Sequence, residues 1–193
     1  MLGPQKIIVF DFDKTLTCDD TLYGFFCEFN QKFKWINSLV FRVVQILTKI
    51  GVITNSRMKD IGLRMFLKNA RDSEIETIAE VYAKKIRFSK IKERLDAIDD
   101  AKVLVVTASF ECYVRHCFNQ NIIVIGSRIK RCNGVVGLGF NCYGESKVKA
   151  LEAIGVAKVD EFYTDSYSDM PLAEISNIVY YVKKGEVARV GKL

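Results

Sequence analysis

The apolar run Ile7-Ile8-Val9-Phe10 leads directly into Asp11-Phe12-Asp13-Lys14-Thr15-Leu16-Thr17. Four apolar residues without polar alternation read as a strand buried on both faces, the mark of a parallel sheet. Such a sheet needs long crossover connections, and its ligands collect at the carboxyl ends of its strands. The run therefore directs the chain toward an α/β architecture and delivers two carboxylates, two positions apart, to the ligand-binding edge. Two carboxylates at one strand end require a cation. Far downstream, Phe162-Tyr163-Thr164-Asp165 and then Asp169 repeat the arrangement, and a parallel sheet would bring the two clusters together.

After residue 100 the sequence alternates strand-like stretches (103–106, 122–125, 159–163 and 178–182) with helix-compatible ones (110–118, 145–154 and 169–175). This pattern predicts a doubly wound, mainly parallel, Rossmann-like sheet in a three-layer α/β/α core. The chain has 193 residues, 49% of them apolar, and two prolines, enough for one good core and a modest insertion. Residues 19–87 supply the insertion. They offer no convincing strand, whereas Ile75, Ile78, Ala79, Tyr82 and Ile86, and separately Ile61, Leu63, Met65, Phe66 and Leu67, follow helical spacings. We read a small all-helical cap at 19–87, inserted after the first strand, and a catalytic core at 1–18 and 88–193. A helical subdomain with no substrate role is the alternative. Within 127–143, Arg131-Cys132-Asn133-Gly134 marks the turn of a hairpin. Gly134, Gly137 and Gly139 lack the strand-to-helix setting of a nucleotide fingerprint.

Charge is unevenly spread. Between Asp19 and Ile98 fifteen Lys and Arg face ten Asp and Glu, so this part carries +5 of the formal +6. A basic cap favours anionic substrates or an anionic membrane face. Nucleic acid is not expected, because the basic residues form no recognition motif and lack aromatic interleaving. The cysteines at 18, 27, 112, 117, 132 and 142 form no close pair, which reads as reduced residues rather than a disulfide framework or zinc site. Residues 1–6 carry no secretory signal, so a cytoplasmic chain is expected. The apolar stretch 35–53 is interrupted by Arg42 and Lys49, which favours a helix lying on a surface over one spanning a bilayer.

In order and spacing the chain resembles the haloacid dehalogenase-like superfamily of aspartate-nucleophile phosphohydrolases. The resemblance rests on four motifs: Asp11-x-Asp13-x-Thr15-Leu16-Thr17, Val105-Val106-Thr107-Ala108-Ser109, Lys147 at a helix start, and Asp165-Ser166-Tyr167-Ser168-Asp169. With a helical insertion after the first motif, it looks most like the phosphoserine-phosphatase-like subfamily. The resemblance implies Asp11 as nucleophile and Asp13 as general acid and base. It implies Thr107, the Ala108 and Ser109 amides and Lys147 as phosphate-binding groups, with Thr107 and Lys147 catalytic as well. Mg2+ would be held by Asp11, the Asp13 backbone carbonyl and Asp165, with Asp169 behind them orienting a metal-bound water or Lys147. Read structurally, Ser168 or Asp169 could instead cap the next helix, and Lys147 could be an exposed helix lysine.

In the cap, Asp20 matches by count a carboxylate that the family uses for a substrate amine, and Arg57 or Arg64 are candidates for a substrate carboxylate. These features imply a Mg2+-dependent phosphomonoesterase acting on a small phosphorylated, phosphoserine-like metabolite. One alternative is a phosphatidylglycerophosphate-type lipid phosphatase with Phe25, Phe26 and Trp35 near a peripheral membrane contact, although all three aromatics read first as cap core. Another is a non-catalytic anion- or membrane-binding protein on this fold. The fourth motif departs from the glycine-rich family form, which bears on substrate more than on chemistry.

Overall fold

A computed structural model describes residues 5–29 and 34–191 of the protein. The expectation for residues 1–4 lies outside them. The strands are β1 (Ile7–Phe10), β2 (Lys102–Phe110), β3 (Ile123–Cys132), β4 (Val135–Phe140), β5 (Val159–Thr164), β6 (Ser176–Lys183) and β7 (Glu186–Gly191). They form one sheet in the order β4-β3-β2-β1-β5-β6-β7. The five central strands are parallel and an antiparallel strand closes each edge. β1 lies between β2 and β5, where the direction of strand addition reverses, so a crevice opens at the carboxyl ends of these three strands.

Alternation along the strands builds two cores. Val9, Leu104, Val106 and Phe162 face α7 (Glu145–Glu152) and α8 (Met170–Glu174) through Leu151 and Leu172. Ile8, Phe10, Val103, Val105 and Tyr163 join the opposite cluster. That layer includes α5 (Ile91–Asp96) and α6 (Glu111–Val114), together with helices inserted between β1 and β2: α1 (Leu22–Cys27), α2 (Lys34–Lys49), α3 (Asn55–Phe66) and α4 (Asp72–Ala83). The sheet is thus the middle of three layers.

The inserted helices bury alternating faces as their spacing requires. Ile75, Ala79 and Tyr82 of α4 and Met58, Leu63 and Phe66 of α3 are buried. The chain leaves and re-enters the core along two paired segments: Thr17 bridges Phe88, Cys18 N donates to Arg87 O (2.9 Å), and Ser89 N donates to Leu16 O (2.8 Å). Phe25 and Phe26 then pack on Phe110 at ring-centroid distances of 6.1 and 6.0 Å. The insertion therefore shares its apolar core with the sheet.

Several local expectations change. The helix expected over 110–118 is present at 111–117, as the four-residue α6 continued by a 3-10 turn at Arg115–Cys117, and only its first expected residue differs, because β2 continues to Phe110 and pairs there with Ser127. The strand and hairpin expected around 122–143 are one long β3 returning through β4. Their two-residue turn, Asn133-Gly134, has positive φ at both positions (48° and 78°), as a right-twisted hairpin demands. β7 has no counterpart in the sequence reading; it pairs with β6 across Lys184-Gly185, both also at positive φ. Trp35, read as cap core, is 72% exposed, whereas Phe25 and Phe26 are buried. All six cysteines are free.

Candidate active site

The loop after β1 begins the site. Asp11 N donates to Tyr163 O (2.8 Å), locking the carboxyl end of β1 to β5. Lys14 adopts φ 56°, and Lys14 N donates to Thr17 Oγ1 (3.1 Å) while Thr17 N donates to Phe12 O (3.1 Å). This tight loop separates the two carboxylates of the first motif. Lys147, in the first turn of α7 and almost fully buried, donates to Asp11 Oδ1 (2.7 Å) and Asp169 Oδ2 (2.8 Å). Thr164 Oγ1 donates to the same Asp169 oxygen (2.9 Å). The exposed-lysine reading of Lys147 fails because the residue is buried, and the cap reading of Asp169 fails because, although it stands at the N-cap position of α8, its side chain makes no capping hydrogen bond.

Asp13 points elsewhere. Its Oδ1 accepts from Thr21 N (2.8 Å) and Thr21 Oγ1 (2.6 Å), and its Oδ2 accepts from Ser109 Oγ. Thr21 Oγ1 also lies 2.8 Å from the Tyr113 hydroxyl, and Tyr82 donates to Thr21 O (2.7 Å). Thr21 and Tyr113 thus belong to the site although sequence reading did not select them, because no spacing marks a threonine eight residues beyond Asp13.

A cleft of about 180 Å³ is lined by Asp11, Asp13, Lys14, Asp20, Asn55, Thr107, Ala108, Tyr143, Lys147, Asp165, Ser166, Ser168 and Asp169. The fold gathers the expected core residues here with one correction. Ser109 is not among the residues lining this cleft: its amide donates to Thr107 Oγ1 (3.0 Å) and its hydroxyl donates to Asp13 Oδ2. The Ala108 and Ser109 amides lie in the last residues of β2, just before α6. Asp20 lines the cleft, but Arg57 and Arg64 do not. Arg57 is exposed, and Arg64 pairs with Asp60 (2.7 Å), one turn back on its own helix.

Burial pushes the Asp11 carboxyl upward, the Asp169 charge adds to this and Lys147 draws it back. Burial, with Asp20 adding, raises Asp13 to about 6, while Ser109 and Thr21 oppose the shift. Burial also raises Asp165. It lowers Lys147, but Asp11 and Asp169 outweigh it and the net shift is upward. Five aspartates thus face the lysines Lys147 and Lys14 in this cleft, which leaves it an excess of carboxylates. Among the described residues no group of three His, Cys, Asp or Glu side chains could by itself hold a metal ion. The expected donor set needs only two carboxylate side chains, Asp11 and Asp165, plus a backbone carbonyl. An all-oxygen set with excess negative charge fits a hard divalent cation such as Mg2+.

A second buried lysine was missed. Lys59 of α3 donates to Asn141 Oδ1 (2.6 Å), Ser127 Oγ (3.1 Å) and the Ala108 carbonyl, tying the inserted helices to β2 and to the β3–β4 hairpin. Its signal was a lysine set on the apolar stripe of Met58, Gly62, Leu63 and Phe66. Beside it lies a second cavity of about 190 Å³, lined among others by Asp13, Asp20, Gln45, Thr48, Lys49 and Asn55.

A family model described as haloacid dehalogenase-like hydrolase matches residues 8–174. Protein CicA of Caulobacter vibrioides is 26% identical, the match covering 91% of this chain and 86% of that protein. A solved protein of unknown function from Bordetella pertussis superposes with a TM-score of 0.70 at 19% identity, covering 89% of this chain and 87% of that one. A phosphoserine phosphatase solved as a phospho-aspartyl intermediate analogue superposes with a TM-score of 0.60 at 16% identity, covering 92% and 87%. These likenesses identify the fold.

Proposed function

Because the chain belongs to the haloacid dehalogenase-like hydrolase family, we propose that it is a Mg2+-dependent phosphomonoester hydrolase working through a phosphoaspartyl intermediate on Asp11. The observation that carries this reading is the division of labour between two neighbouring aspartates. Asp11 is held by Lys147 in the cleft, while Asp13, on another wall, is oriented by Thr21 and Ser109. An oxygen of Asp11 attacks phosphorus, the ester P–O bond breaks, and protonated Asp13 gives its proton to the departing alkoxide. Water then attacks the acyl phosphate. Asp13 takes the water proton, the bond to Asp11 breaks and inorganic phosphate leaves. A carboxyl near 6 is suited to both halves of this cycle. Thr107 and Lys147 bind the phosphoryl oxygens, and Lys147 offsets the charge that develops on them. Asp11, the Asp13 carbonyl and Asp165 would hold Mg2+, which when bound reduces repulsion between Asp11 and a dianionic ester. That a phosphoserine phosphatase of this fold was solved as a phospho-aspartyl analogue supports the same route.

The leaving group would occupy the adjoining cavity. Asp20 and Lys49 there supply the opposite charges that a small zwitterionic, phosphoserine-like metabolite needs. Lys49 takes the part first assigned to Arg57 or Arg64. A second reading, a lipid phosphate, is favoured by one observation: α2, which provides Gln45, Thr48 and Lys49 to this cavity, exposes an apolar outer face. Asp11→Asn should abolish turnover of soluble and lipid phosphomonoesters while leaving the circular dichroism spectrum and unfolding transition in place. Most of the Mg2+-dependent activity surviving in that variant would overturn the assignment. Binding of phosphate with no turnover of any ester by the wild type would point to a non-catalytic anion-binding protein.

A further inference from the structure

α2 is amphipathic in an inverted sense. Phe41 and Val44 are buried, while Trp35, Leu39, Val43, Ile46 and Ile50 are 72, 61, 49, 59 and 67% exposed, with Ile36 and Val40 on the same side. At about 100° per residue these seven side chains cover an arc of about 140° on one side of the helix axis. Val52, just beyond the helix, is 67% exposed too. Contiguous exposed apolar surface of this kind marks a contact site rather than ordinary solvent-facing surface. Arg42 and Lys49 are exposed along one edge of the arc, the edge that borders Gln45 and the cavity beside the active site. Between Glu28 and Asp60 the sequence has Lys32, Lys34, Arg42, Lys49, Arg57 and Lys59 and no acidic residue.

We propose that this face of α2 seats the protein on an anionic lipid bilayer, with the apolar arc in the interfacial region and its basic edge, Arg42 foremost, toward the head groups. The charge decides the occupant. A second copy of the chain, meeting this face about a twofold axis, would bring like charges together, whereas an anionic surface is complementary to them. No helix among the described residues is long and apolar enough to cross a membrane, so α2 lies on the surface rather than spanning it. Docked in this way, the leaving-group cavity would lie beside the head-group layer.

Trp35 is the single tryptophan of the chain and reports directly on the contact. Full-length protein is titrated with phosphatidylcholine vesicles and with vesicles of equimolar phosphatidylcholine and phosphatidylglycerol. Emission should shift to the blue and the protein should sediment with the mixed vesicles. Binding should weaken as salt rises and be much weaker on phosphatidylcholine alone. Leu39→Glu with Ile46→Glu should lower partitioning more than about tenfold, because charge replaces buried apolar surface. These exposed positions lie outside the catalytic cleft, so hydrolysis of a soluble ester should not change. That readout keeps a failure of docking separate from a failure of the phosphatase reading. Equal partitioning of the double variant, no shift with anionic vesicles, or a concentration-dependent dimer that the double variant dissolves would each overturn the proposal.

Discussion

The Lys59 ammonium is held by three neutral oxygens, those of Ala108, Ser127 and Asn141, and burial lowers it to about 7. A lysine that releases its proton more readily folded than unfolded makes stability depend on pH in a fixed direction. Between about 7 and the ordinary 10.5 the unfolded chain binds more protons, so stability rises with pH across that window. Lys59→Met removes this contribution. Its stability relative to wild type, from urea midpoints between about pH 7 and about pH 9, should therefore fall by up to about 1.4 kcal/mol per pH unit. A pH-independent difference would place the ammonium in contact with water. Asp13 depends on hydroxyls of Thr21 and Ser109 in the same way that Lys147 depends on two carboxylates. Thr21 lies only eight residues from Asp13, whereas Ser109, like the two partners of Lys147, comes from a distant part of the chain.

At the scale of elements, α3 illustrates how packing overrides propensity. Glycine inside a helix ordinarily costs about 1 kcal/mol relative to alanine. A Cβ at Gly62, however, would meet the Phe26 ring at 2.4 Å and the Phe41 ring at 2.8 Å. These rings are themselves wedged against Phe66, with centroids 5.4 and 5.7 Å away. Overpacking costs about 1–3 kcal/mol and should exceed the gain in propensity. Gly62→Ala is expected to lower the thermal midpoint, and a rise would mean that α1 and α2 yield easily. The end of β2 is a similar case: the local pattern over 110–118 is helical, yet pairing of Phe110 with Ser127 extends the strand, and the register shift between Val106 and Phe110 accommodates Thr107-Ala108-Ser109.

For the molecule as a whole, one apolar cluster runs from Phe10 and Val105 in the sheet through Phe110 and Tyr113 to Phe26, Phe41 and Phe66 in the inserted helices. The insertion should therefore unfold with the sheet. Phe26→Ala is expected to cost about 3–5 kcal/mol and to lower the midpoints of far-ultraviolet dichroism and of the near-ultraviolet signal of the buried aromatic cluster together. Separate midpoints would show that the helices fold as their own unit. The sequence by itself determined the parallel sheet and the motif aspartates at its strand ends, because buried strands and crossover helices leave period-specific apolar patterns that need no partner to be read. It also marked the Asn133-Gly134 turn, where local backbone geometry dictates composition. Only the tertiary structure decided that Arg57 and Arg64 miss the cleft, that Ser109 serves Asp13, that Lys59 binds the insertion to β2, and that α2 turns apolar residues outward. Those outcomes depend on which elements meet at long range, and a one-dimensional pattern records a face without saying what covers it.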